Sequence, residues 1–165
     1  MSMIPCQYVR ARTPGFTLLE VMICLVILAG GMLGMTAMQI EGLKYNKAAF
    51  TESQAQFLLN DMVERIRANR GNDAYVIGYA EAPPTQSVDC GAANAACTSN
   101  QMVIWDLNQW RSKVEDSTYM PQGQSEIVYD NLTHTFTISI RYDWSQLGGL
   151  DITNGQRTVT ITTRI

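Results

Sequence analysis

Glu20 is the only charged residue between Arg12 and Glu41, and it lies inside an apolar run. That run, residues 16–38, contains 23 residues, enough to cross a hydrocarbon core of roughly 30 Å as a helix. An ionised acid at the centre of a membrane helix costs about 2.5 to 3.5 kcal/mol even on lenient insertion scales, and near one end it still needs a partner. Taken alone, Glu20 is as well explained by snorkelling to the cytoplasmic headgroups as by a dedicated cation. Other reactive residue types are sparse. The one histidine, His134, is flanked by threonines at the start of a strand-like segment, where a lone surface histidine is usual. No Ser, His and Asp constellation, paired metal ligands or phosphate loop can be assembled, so neither catalysis, a cofactor nor a metal is expected. Asp143, Asp151 and Asn154 around Gly148, Gly149 and Gly155 lack the regular ligand alternation of a calcium loop and read as a polar turn cluster.

The residues before the run contain Arg10 and Arg12 and no acid, which keeps them cytoplasmic and sends everything after the span to the far side. A cleaved secretory signal fits less well, because its apolar core is shorter and its cut follows the core. The formal charge is -3, and loss of residues 1–15 leaves ten Lys and Arg against fifteen Asp and Glu, or -5. Such mild acidity argues against a nucleic-acid partner. Cys6 precedes the span and Cys24 lies within it, leaving Cys90 and Cys97 as the exported pair. The flexible, uncharged loop between them suits a local disulfide, whereas two thiols without His or further Cys make a poor zinc site.

No proline occurs between Pro14 and Pro83, and Leu43, Phe50, Phe57, Leu58, Met62 and Ile66 recur at mostly helical intervals beyond the span. The pattern predicts one helix to about Arg70, stopped by Gly71-Asn72 and roughly 80 Å long. Residues 72–99 read as an irregular connector. A capping box, Thr98-x-x-Gln101, then opens a short helix with Val103, Leu107, Trp110 and Val114 on one face. Strands are predicted over 126–130, 135–142 and 157–165; Phe136, Ile138, Ile140 and Tyr142 alternate with polar residues, as do Val159 and Ile161. The dry face of this sheet should lie on the exported half of the long helix.

Gly15-Phe16-Thr17-Leu18-Leu19-Glu20 resembles the class III signal of type IV prepilins and pseudopilins. The resemblance implies cleavage by a prepilin peptidase between Gly15 and Phe16, N-methylation of Phe16, and a Glu20 carboxylate that meets the terminal ammonium of a neighbouring subunit. The pairing is physically sensible, since each charge is costly alone in lipid. The whole chain resembles a type IV pilin, implying an α+β fold with a long spine helix under a small antiparallel sheet, a disulfide-pinned connector and a short helix. The division expected is a cleaved leader 1–15, a transmembrane half 16–38, an exported helical half 39–70, and a head completed by 71–165.

Within the family, three stretches resemble minor pilins of the PilV type. They are Asn60-Asp61-Met62-Val63-Glu64-Arg65-Ile66-Arg67-Ala68-Asn69-Arg70, the Cys90 to Cys97 loop, and Asp106-Leu107 with Trp110 ahead of Met120-Pro121-Gln122-Gly123. One departure is the lack of a proline in the membrane helix, where Ala37 stands near the expected place and Gly30, Gly31, Gly34 and Gly42 offer softness instead. The implied role is a minor pilin that primes pilus assembly at the tip. Its implied partners are other minor and major pilins, the prepilin peptidase, the inner-membrane assembly platform and a tip adhesin. The implied location is the inner membrane, single-pass, with the head in the periplasm and later on the cell-surface pilus. A type II secretion pseudopilin is the alternative, and a membrane-anchored periplasmic enzyme a more distant one.

Individual residues carry competing readings. Gly30-x-x-x-Gly34 permits close helix approach or merely softens the backbone. Cys24 reads as a small hydrophobe. Asp61, Glu64 and Arg65 suit a subunit contact, though a solvated helix face is commoner. Arg67 and Arg70 suit a helix end. Trp105, off the apolar stripe of the short helix, is either a partner patch or buried under the connector.

Overall fold

The computed structural model describes residues 15–145 and 155–164, which fall into two compact units divided at Ile40. Five elements follow in order: α1 (Leu18–Ala68), α2 (Ser99–Val114), β1 (Gln124–Asp130), β2 (Thr135–Asp143) and β3 (Gln156–Arg164). In the first unit the helix is apolar and every described residue from Gly15 to Ile40 is exposed. It is long and apolar enough to cross a membrane.

The second unit is built on the later turns of α1. The helix ends two residues before the expected Arg70, and Gly71 takes a φ of +82°, the left-handed turn that glycine adopts without a Cβ penalty. Arg65 and Arg67 in its last turn face the negative end of the helix dipole. The buried stripe is Ala48, Thr51, Ala55, Leu58, Leu59, Met62, Val63 and Ile66. This corrects the predicted stripe, because Leu43, Phe50 and Phe57 are exposed. Small residues carry the first contacts: Thr51 donates its hydroxyl to the Tyr119 carbonyl at 3.1 Å, an approach that a larger side chain would block.

Helix α2 begins as predicted, with Thr98 as N-cap and a reciprocal capping box with Gln101. Val103, Leu107, Trp110 and Val114 are all buried. The Trp110 indole N–H donates to the Leu58 carbonyl at 2.8 Å, joining α2 to α1. The sheet is antiparallel in the order β1-β2-β3, with Ile138 opposite Ile127 on one side and Ile161 on the other. Phe136, Ile138, Ile140 and Tyr142 of central β2 are buried, whereas Val159 and Ile161 of β3 are only half-buried. The connector adds a backbone bridge between Ile77 and Ile127 on the far side of β1.

Met120-Pro121-Gln122-Gly123 turns the chain from α2 into β1. Met120 is buried, Gln122 has a φ of +51°, and the Pro121 carbonyl accepts from the Asp143 amide at 2.8 Å. A Cβ on Gly123 would collide with the Val114 carbonyl oxygen, a backbone atom that cannot rotate away. Gly123→Ala is therefore expected to cost about 2–3 kcal/mol, the upper part of the overpacking range, read as a lowered denaturant midpoint for the head. An unchanged midpoint would show that the turn relaxes freely.

Candidate assembly site

Gly15, Phe16 and Thr17 lead into α1 without helical structure. Thr17 caps the helix: its hydroxyl accepts from the Glu20 amide at 3.2 Å, and its carbonyl accepts from Glu20 at 3.1 Å and Val21 at 3.3 Å. This cap went unread in the sequence, although Thr17-x-x-Glu20 has the spacing of a capping box. Glu20 thus sits in the first turn, where the helix dipole favours an anion, and remains exposed. Phe16, Glu20, Val21, Cys24 and Leu25 line one shallow recess, and Phe16 is 84% exposed. A Cβ at Gly15, Gly30, Gly31 or Gly34 would meet nothing within 4 Å among the described residues, whose packing therefore does not demand these glycines.

The head holds three polar clusters that tie its elements together. Arg65 donates to Asp61 at 3.1 Å and to Asp106 at 2.7 Å, while the Tyr75 hydroxyl donates to the other Asp106 oxygen at 2.7 Å. The triplet expected on a solvated helix face is thus partly an internal bond to α2, for Asp106 is buried. Burial, with the Asp106 carboxylate close by, holds the Tyr75 phenol well above its ordinary range, so it stays a donor. Arg111 is buried too; it donates to the Gly78, Tyr79 and Ser125 carbonyls at 3.1, 2.6 and 2.7 Å and to Glu115 at 2.7 Å. It clamps the connector to α2 and β1. In the sequence Arg111 carried no assigned role and Asp106 was named only within a resemblance; a charge beside the apolar stripe, at Leu107 and at Trp110, was the available signal.

Glu52 forms the third cluster, accepting from the Tyr142 hydroxyl at 2.8 Å and from Arg157 at 3.0 Å. Burial alone would raise its carboxyl pKa, but the hydrogen bonds from Arg157 and Tyr142 and the Arg157 charge outweigh it and hold it below the ordinary value. Because the folded value is depressed, this stabilisation is full above the unfolded value of about 4.3 and is lost as pH falls through the folded one. Glu52→Gln is expected to cost about 1–2 kcal/mol at neutral pH, with the difference from wild type shrinking below about pH 4. Urea unfolding at both pH values checks this, and a difference independent of pH would refute the ionised link.

Cys90 and Cys97 are bonded at 2.02 Å, closing the loop over Trp105. A Cβ on Gly91 would press on the Trp105 ring at 2.9 Å, and the indole N–H donates to Asp89 at 3.2 Å. Trp105 packs against the connector yet stays only half-buried, short of the burial that one reading had. Arg67 pairs with Glu64 at 2.8 Å, and His134 sits in the β1–β2 turn with its Nδ1 3.0 Å from the Tyr129 hydroxyl. Asp143 accepts from the Ser145 amide and hydroxyl at 2.9 and 2.6 Å, but Gly148, Gly149, Asp151 and Asn154 lie outside the described residues. Among the described residues no group of His, Cys, Asp and Glu could hold a metal ion.

Residues 10–36 match the model of the prokaryotic N-terminal methylation motif, and residues 37–108 match the model of the Tt1218-like family, type IV pilin Tt1218. No curated protein and no solved structure matches the chain. Both family matches point to a structural subunit, a pilin or pseudopilin, and the motif with its apolar helix fits a membrane-anchored one. The long apolar helix, short helix, three-stranded antiparallel sheet and Cys90–Cys97 disulfide make up the type IV pilin fold. In order along the chain, residues 10–36 are thus similar to a prepilin methylation motif and residues 37–108 to a Tt1218-like type IV pilin domain.

Proposed function

We propose that this chain is a minor pilin of a type IV pilus, cut after Gly15, methylated on Phe16 and acting with other minor pilins to prime assembly at the tip. The observation that carries the reading is Glu20: one exposed carboxylate in the first turn of a helix that is otherwise uncharged as far as Ile40, inside the stretch that matches the methylation motif. The peptidase removes residues 1–15 and frees an amine at Phe16. In a bundle of such helices each Glu20 neutralises the amine of a neighbour, while the head selects the partner. The head then stands on the periplasmic side, since Arg10 and Arg12 hold the leader in the cytoplasm. The PilV-type reading is supported by the 60–70 stretch, the disulfide loop and the turn at Gly123, and it brings major pilins, the assembly platform and a tip adhesin as partners.

Intact-mass measurement of membrane-extracted protein is expected to show loss of residues 1–15 and one methyl group on Phe16. A chain beginning after residue 38 would sink the proposal. Co-purification with the minor pilins encoded in the same operon tests the role itself. Recovery with pseudopilins of a type II secretion system instead would move the subunit to that machine.

A further inference from the structure

The two outer strands of the sheet are treated differently. On β1, Ile77 exchanges backbone bonds with Ile127 at 3.1 and 2.8 Å. Among the described residues, no backbone ladder covers the outer side of β3. This open edge runs nine residues, without proline and with no charged residue between Arg157 and Arg164. Edges of that length are normally shortened, bulged or protected by charge, because their unpaired amides and carbonyls accept another strand. Val159 and Ile161 stay half-buried although their β2 partners Ile140 and Ile138 are fully buried, so the helical layer covers β2 more completely than β3. A recess of about 260 Å³ remains there, lined by Gln56, Leu59 and Asn60 of α1 and by Val159, Thr160 and Ile161.

We propose that β3 is a docking edge for an extended segment of a partner protein, apolar at alternate positions and acidic at the end beside Arg164. A strand is the occupant because only a strand satisfies a row of outward backbone groups, with side chains alternately entering the recess and facing water. The recess, lined by the aliphatic Leu59, Val159 and Ile161, suits an aliphatic side chain. The acid follows from charge: β3 carries two arginines and no acid, and Arg157 is already paired with Glu52 at 3.0 Å. Arg164 is exposed and has no ion-pair partner among the described residues. A second copy of the chain fits poorly, since β3 paired with itself in either direction brings no acidic residue of the strand to Arg164. The inference goes beyond the assembly role and concerns the head alone, so Glu20 has no part in it.

The test uses the full chain in detergent micelles and a fluorescent ten-residue peptide of alternating valine and threonine with glutamate at both ends. Saturable binding by anisotropy is expected, with amide exchange slowed along β3 and not along β1. Arg164→Glu, which alters an exposed side chain, should weaken binding about fivefold, and a lysine-ended peptide should recover the loss on that variant. Three results would overturn the proposal: no saturable binding, binding without slowed exchange in β3, or affinity indifferent to both charge reversals. Concentration-dependent protection of β3 without peptide would equally overturn it, by assigning the edge to pairing between copies.

Discussion

Trp110→Ala is expected to lower the unfolding free energy of the head by about 3–5 kcal/mol, a large part of the 5–15 kcal/mol typical of a domain. Trp110 is fully buried, and its indole N–H reaches the Leu58 carbonyl at 2.8 Å, so one side chain both fills the space between the helices and sets their spacing. Truncation removes the ring and leaves a cavity in a core whose other members, Leu58, Met62 and Leu107 among them, are themselves buried, so collapse is only partial. Trp110→Phe separates the two contributions. It keeps most of the apolar area and loses the hydrogen bond, while the Leu58 carbonyl, inside α1, keeps its helical partner; a loss of about 1–2 kcal/mol is expected. Denaturant unfolding followed by near-UV circular dichroism measures both variants. Equal losses for Ala and Phe would mean that the bond, and not the packing, dominates.

Trp110 was legible in the sequence because its neighbours Val103, Leu107 and Val114 repeat it at helical spacing and Thr98 announces the first turn. The face of α1 was harder to read. Phe50 and Phe57 are the more hydrophobic residues, yet Ala48, Thr51 and Ala55 are the ones covered. Hydrophobicity measures what a residue gains by burial, whereas close approach of another element selects small side chains, and a single sequence does not weigh the two. The strands were found to within two residues at each end, since period-two alternation is strong in β2. Their order was not written locally: that β3 lies, among the described residues, at an open edge depends on how whole strands pair and not on any one segment. The buried ion pairs failed for a related reason. Asp106 and Arg111 look like ordinary helix charges until Tyr75, Arg65 and the connector carbonyls are brought to them by the fold.

Glu20→Gln is expected to leave processing and head stability intact while reducing co-assembly with other pilins to a small residue. The choice of glutamine rests on the geometry of the helix start. Thr17 caps α1 and Glu20 stands at the third helical position, where glutamine serves a capping box as well as glutamate does. The substitution forfeits only the interaction of the carboxylate with the helix dipole, about 0.3–1 kcal/mol. A helix of 51 residues does not unravel for that. Any large effect must then come from the missing charge meeting something outside the chain. An amine on Phe16 of a neighbour is the cation the proposed cleavage supplies, and in a medium of low dielectric breaking such a pair costs several kcal/mol because the surviving charge stays buried. The loss should therefore exceed tenfold in pilus recovery or in crosslinking through the apolar helices, while intact mass still shows a methylated Phe16. Normal co-assembly would return Glu20 to the headgroups as a snorkelling side chain. Unprocessed protein would instead make it a determinant of recognition by the peptidase.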